Sequence, residues 1–124
     1  MYRYDTRLDP PAPLVPVRII NTDNGLYVVS SGLVDTCAFQ TVIPQALALQ
    51  LGLQAVGDTK VIGASVSPMP ALVYRAQLEV AEVVLGNMLV LAMPISRILL
   101  GRDLLNQFDI TLRGKAQTFE MVPA

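Results

Sequence analysis

From Leu14 onward the chain reads as short strands punctuated by turns. The clearest alternation is Tyr74 to Val80, with Arg75, Gln77 and Glu79 on one face and Tyr74, Ala76, Leu78 and Val80 on the other. That is the period of a half-exposed strand. Val15 to Ile20 is rich in branched residues, and Pro16 places it at a strand start or a sheet edge. The run 21–25, Asn-Thr-Asp-Asn-Gly, is a turn, and Leu26 to Val29 returns from it. Ser30-Ser31 predicts a bulge or a second turn, and Gly32-Leu33-Val34 a further short strand. Thr59 to Ile62 and Met69 to Leu72 flank a loop around Gly63. Gly86-Asn87 has the composition of a two-residue hairpin turn, from which Met88 to Met93 returns. Ile98 to Leu100, Phe108 to Leu112 and Ala116 to Val122 complete the strands, with a turn at Arg113-Gly114-Lys115.

Two segments break the β pattern. Pro44 to Leu51 predicts a helix, with Pro44 at its first position, Gly52 just past its end, and an apolar face of Ala46, Leu47 and Leu49 to Leu51. Arg102 to Gln107 predicts a second, shorter one. The first 13 residues are polar and end in Pro10, Pro11 and Pro13, the pattern of an extended, mobile leader before a domain spanning 14–124. Many short strands with frequent turns predict a mostly β fold, a closed antiparallel barrel or sandwich with one or two short helices.

Composition narrows the chemistry. At 124 residues the chain suits a single domain, and 52% hydrophobic against 15% charged residues excludes disorder and leaves apolar surface for an interface. The net charge of −1, with nine dispersed basic residues, argues against a nucleic-acid surface. No His is present, so His-based general base catalysis and His-ligated metal are excluded. The single Cys37 excludes an intrachain disulfide. No metal or other cofactor is expected. The greasiest run, Val83 to Met93, is too short to span a bilayer and is cut by Gly86 and Asn87, and the N-terminus lacks the apolar core of a signal peptide. The expectation is a soluble intracellular, cytoplasmic domain or a piece of a longer protein.

The informative stretch is Gly32-Leu33-Val34-Asp35-Thr36-Cys37-Ala38, where an apolar strand delivers a carboxylate to a loop of small residues. Such a carboxylate is a candidate acid–base group, and equally an ordinary turn Asp that caps backbone N–H groups. Downstream, Leu33-Val34-Asp35 has a faint echo in Leu99-Leu100-Gly101, a second apolar strand that stops abruptly.

Taken together, Val34-Asp35-Thr36-Cys37-Ala38, then Thr41 to Pro44 and the following helix, then Ile98-Leu99-Leu100-Gly101-Arg102-Asp103-Leu104-Leu105, the sequence resembles the retropepsin-like aspartic peptidases. These are the retroviral proteases and their bacterial and eukaryotic cellular relatives. The resemblance covers Leu14 to Met121 and rests on two motifs in the right order. It implies an aspartic endopeptidase with Asp35 as catalytic carboxylate, paired with its copy in a symmetric homodimer, and Thr36 bracing the loops across the axis. It implies an extended polypeptide substrate lying against Cys37 and Ala38 and beneath a flap. Lys60-Val61-Ile62-Gly63-Ala64 is the candidate flap tip, with Val61, Ile62 and Gly63 as substrate-binding residues. A plain surface hairpin is the alternative there.

Gly101 is expected to let the second strand pass close beneath the first loop. Arg102 is left to pair with an acid or to cap a carbonyl. In retroviral relatives the matching Arg bonds to an Asp after the first motif, and here Phe39, Gln40 and Thr41 stand in those places. Asp103 reads as a helix cap and Asp109 as a solvent-facing strand residue. Cys37 is the departure, because the family carries Gly there. If that Gly has positive φ, a Cys costs about 1–2 kcal/mol. An active tolerant enzyme, a natural pseudo-peptidase kept as a binding or dimerisation module, and a deliberate silencing substitution all stay open. A nucleophilic role for Cys37 is disfavoured by the lack of His. An unrelated barrel binding a hydrophobic ligand accounts for the composition but not for the two motifs.

Overall fold

The computed structural model describes residues 1–61 and 69–123. Its strands are β1 (Tyr2–Arg3), β2 (Leu14–Ile20), β3 (Tyr27–Val34), β4 (Val42–Pro44), β5 (Ala55–Val61), β6 (Met69–Val80), β7 (Val83–Met93), β8 (Ile98–Leu100), β9 (Phe108–Arg113) and β10 (Thr118–Pro123). Helix α1 (Gln45–Gln50) follows β4, and α2 (Arg102–Leu105) follows β8.

Hydrogen-bonded neighbours run β2-β3-β8-β4-β7-β6, and β6 pairs back onto β2. Six strands therefore close a barrel, with β5 added to the outer part of β6. The long β6 makes this possible. Met69 to Tyr74 pairs with β5, while Gln77 to Val80 pairs with β2. Most pairings are antiparallel, but β3–β8 and β4–β7 are parallel. The faint sequence echo is physical, since Leu33 lies opposite Leu99 and Val34 opposite Leu100. Alternation fills the barrel with Val15, Val17, Ile19, Tyr74, Ala76, Leu78 and Val80, all buried. A separate sheet, β1-β10-β9, lays Phe119 and Met121 into the same core.

Several local expectations change. Ser30-Ser31 is neither bulge nor turn, because β3 runs unbroken from Tyr27 to Val34 against both β2 and β8. The β6–β7 hairpin turns at Ala81-Glu82, where both residues have positive φ (48° and 66°), and not at Gly86-Asn87. Gly86-Asn87 instead forms a bulge within β7, with Asn87 at φ 54°. Helix α1 starts one residue late, as Pro44 is extended (ψ 134°) and ends β4. Its buried face is Ala48 with Leu51 beyond its end, while Leu49 is 71% exposed. Spacing i, i+3 rather than i, i+2 decides which side meets the barrel. Gly52 (φ 66°) closes α1, with its N–H on the Leu49 carbonyl and the Leu53 N–H on the Ala48 carbonyl. Asn21 and Asn24 from the 21–25 turn both donate to the Leu51 carbonyl at 2.9 and 3.0 Å.

The first 13 residues are not a loose leader. Tyr2 pairs with Phe119 in register, and its ring stacks on the Phe119 ring with centroids 5.1 Å apart. Tyr4 packs on the same ring at 6.0 Å. Tyr2 and Tyr4 share one face of an extended segment, which lets both reach Phe119. The segment then loops back through an Asp5–Ala12 bridge, and the Pro13 carbonyl accepts the Val34 N–H at 3.1 Å.

Candidate active site

Strand β3 ends at Val34, and Asp35 begins a tight turn. Its N–H donates to the Leu100 carbonyl of the neighbouring parallel strand at 3.1 Å, so β8 fixes where the turn begins. Oδ1 of Asp35 accepts the Cys37 N–H at 3.1 Å, and the Asp35 carbonyl accepts the Ala38 N–H at 3.3 Å. The carboxylate therefore organises its own loop while remaining half-buried at the surface of a cavity.

Arg102 holds the rest of that loop. Its Nη1 donates to the Thr36 carbonyl at 2.8 Å and to the Cys37 carbonyl at 3.2 Å, and its N–H donates to the Ala38 carbonyl at 2.8 Å. Of the two roles left open by sequence, the carbonyl cap is the one observed. Among the described residues no ion pair includes Arg102.

Beneath the loop the two motifs touch. A Cβ on Gly101 would lie 2.5 Å from the Gln40 carbonyl carbon and 2.8 Å from the Thr41 nitrogen, so only Gly fits this crossing. The fully buried Thr41 donates its hydroxyl to Asp103 Oδ1 at 2.8 Å and accepts the Gly101 N–H at 3.2 Å. Its own N–H reaches both Asp103 oxygens, at 3.0 and 3.1 Å. The helix-cap role expected of Asp103 is therefore only part of what it does. It accepts the Leu104 N–H at 2.8 Å, but its main work is to clamp Thr41 across 62 residues of chain. Asp109 faces solvent in β9.

The cavity at Asp35 has a volume of about 510 Å³. Its far wall is Val42, Val61, Leu91, Met93, Ile95 and Leu99, drawn from a small second core cluster between the barrel and the β5–β6 hairpin. Cys37 and Ala38 line it beside Asp35, and Phe39 and Gln40 close its rim. Asp35 is the one charged residue in this lining among the described residues. Of the expected site residues, the structure thus brings together Asp35, Cys37, Ala38 and Val61. Thr36 is exposed on the same turn, and Ile62 and Gly63 lie outside the described residues. Phe39, Gln40, Leu91, Met93, Ile95 and Leu99 carry no site signal in the sequence. They are ordinary strand and loop residues, and only the barrel's closure makes them neighbours.

Cys37 avoids the strain considered for it. It is absent from the residues of positive φ, so the turn takes an L-residue without backbone cost. Its side chain is exposed at the cavity rather than buried beneath it.

A barrel closed by β2–β6, two parallel crossing motifs and an Asp at the turn between them define a single-lobe, retropepsin-like aspartic peptidase fold. The sequence profile described as aspartyl protease matches residues 15–104, and the chain belongs to that family. Two solved structures have the same architecture. The EIAV protease complexed with the inhibitor HBY-793 is 21% identical, with a TM-score of 0.62 over 77% of this chain and 86% of that one. The Simian Foamy Virus (mac) protease is 18% identical, with a TM-score of 0.57 over 76% and 92%. At these identities they speak for the fold. No curated protein matches the sequence. Among the described residues no helix is long and apolar enough to cross a membrane.

Proposed function

We propose that the chain is an aspartic endopeptidase whose catalytic dyad is Asp35 from each of two subunits. The observation that carries this is Asp35 itself, held by β8 and its own Asx turn at the wall of an otherwise uncharged cavity. Two carboxylates brought face to face share one proton, because like charges that close cannot both ionise. The ionised member takes a proton from water, whose oxygen forms the new bond to the scissile carbonyl carbon. The protonated member gives its proton to the carbonyl oxygen. Collapse of the gem-diol breaks the C–N bond: the carboxyl that took its proton from water gives it to the departing amine nitrogen, and the other carboxylate takes a hydroxyl proton, which restores the singly protonated dyad. Thr36 braces the turn across the two-fold axis. The substrate lies extended, against Cys37 and Ala38 on one side and Val61 on the other.

The test is cleavage of unstructured polypeptide by the purified protein and by Asp35→Asn. Loss of all turnover in Asp35→Asn is expected, and equal activity of the two would sink the reading. A binding module on the same fold is the second reading, favoured by an exposed Cys37 at the cavity wall where the family has Gly. Cys37→Gly separates the two. An inactive unsubstituted protein together with an active Cys37→Gly variant marks a silenced site, whereas comparable activity in both fits the unstrained turn.

A further inference from the structure

The apolar cavity at Asp35 does not end in plain solvent. Ile95 lines it, and the next two residues, Ser96 and Arg97, line a second hollow of about 350 Å³. That hollow adjoins a larger one of about 640 Å³, and the two share Asp5, Arg7, Leu14, Ser30 and Ser31. Together they form one groove between the N-terminal segment and the β2–β3 hairpin.

The groove differs in charge from the cavity. Arg3, Arg7 and Arg97 line it against a single carboxylate, Asp5. Asp5 is already occupied. Arg7 Nε lies 3.0 Å from Oδ1, Nη2 lies 2.6 Å from Oδ2, and the Arg7 N–H donates to Oδ1 at 2.9 Å. Among the described ion pairs neither Arg3 nor Arg97 has a partner. Ser30, Ser31 and Ser96 also line the groove, and because Ser30 and Ser31 are neighbours in β3 their side chains point to opposite faces of the strand. Arg97 also acts on the Asp5 carboxylate through space, and three arginines against one carboxylate leave the groove net positive.

We propose that this groove takes an acidic side chain of the polypeptide whose apolar residue fills the cavity at Asp35. The inference rests on the peptidase reading and adds to it a substrate class, an uncharged apolar site of cleavage with a carboxylate to one side. One residue, Ser96, separates Ile95 from Arg97, so their backbones are at most about 7 Å apart. An extended substrate rises about 3.3 Å per residue, so the acid belongs roughly two to four positions from the residue in the cavity. Arg97 is the specificity residue. It makes no contact with the Asp35 loop among the described hydrogen bonds, and Arg7 is already engaged by Asp5.

The experiment reads binding and cleavage separately. Fluorescein-labelled short peptides with a central Leu-Leu pair, and one Glu, Gln or Lys scanned across the flanking positions, are titrated onto the Asp35→Asn protein at low salt. At one flanking position Glu is expected to bind about threefold to fivefold tighter than Gln, as an exposed ion pair permits. Arg97→Ala abolishes that preference, and Arg97→Glu turns it toward Lys. About 0.5 M salt removes it. Equal binding of the three peptides, or no binding, overturns the groove. Cleavage of the same peptides by the unsubstituted protein reads the peptidase itself. Asp35-dependent cleavage with no Glu preference overturns the groove alone. A Glu preference that follows Arg97 without any cleavage upholds the groove and removes the peptidase.

Discussion

Asp35 sits where it does because of residues that never reach the cavity. Gly101 lets β8 pass under the loop, and Thr41 and Asp103 lock that crossing from within. Asp103→Ala would leave the Thr41 N–H and hydroxyl without their acceptor at a fully buried position. A cost of about 2–3 kcal/mol is expected, read as a lower denaturant midpoint at unchanged slope. Asp103→Asn keeps one acceptor oxygen and should cost clearly less. If the two variants are equally stable, the clamp is not what holds the motifs together. Asn21 works the same way at the end of α1, donating from a buried position to the Leu51 carbonyl.

Hairpins and the N-terminal segment carry the next level. The β6–β7 turn places Ala81 and Glu82 in the left-handed region, which neither residue favours. Replacing the pair by Asn-Gly should stabilise the protein by about 1–2 kcal/mol, seen as a higher melting temperature. No change would mean that the hairpin bears no strain there. The N-terminal segment is pinned by Tyr2 and Tyr4 at one end and by the Asp5–Arg7 pair beyond them. Hydrogen bonds from the Arg7 side chain, and then from its N–H, hold the Asp5 carboxyl at about 2, below its ordinary 3.8. A depressed value stabilises the folded chain above the unfolded value and is lost as pH falls through about 2. Arg7 is exposed, so solvent limits the size of that effect. In an NMR titration the Asp5 carboxyl should have its midpoint near 2, and Arg7→Ala should move it back toward 3.8. A midpoint that ignores Arg7 would show that the pair does not persist in solution.

At the scale of the whole molecule, legibility followed range. Asp35, Gly101 and the strand echo were readable because each is a local motif with a fixed neighbour. Gly52 marks the end of α1 for the same reason, while Pro44 marks its start only to within one residue. Gly86-Asn87 misled because hairpin register is set by β6 pairing with β7 along its length, and the tight loop fell at Val80–Val83 instead. Tyr2, Tyr4 and the Thr41–Asp103 clamp were invisible because their partners lie 60 or more residues away. The proposed dyad extends this to a second molecule, since Asp35 needs a partner that no single chain supplies. In the terminal sheet β10 has both edges filled by β1 and β9, which leaves the outer edges of β1 and β9 open among the described residues, with Leu112 of β9 49% exposed. A two-subunit site makes activity depend on assembly. Specific activity should fall on dilution as dimers dissociate, and saturating substrate should restore it. Mixing in a tenfold excess of Asp35→Asn chains, with time for subunits to exchange, should lower activity per unsubstituted chain by about tenfold, because most of those chains then sit in dimers with one carboxylate. Activity that stays constant through both dilution and mixing, with a monomeric mass by sedimentation, would place the whole reaction in one chain and rule out the shared dyad.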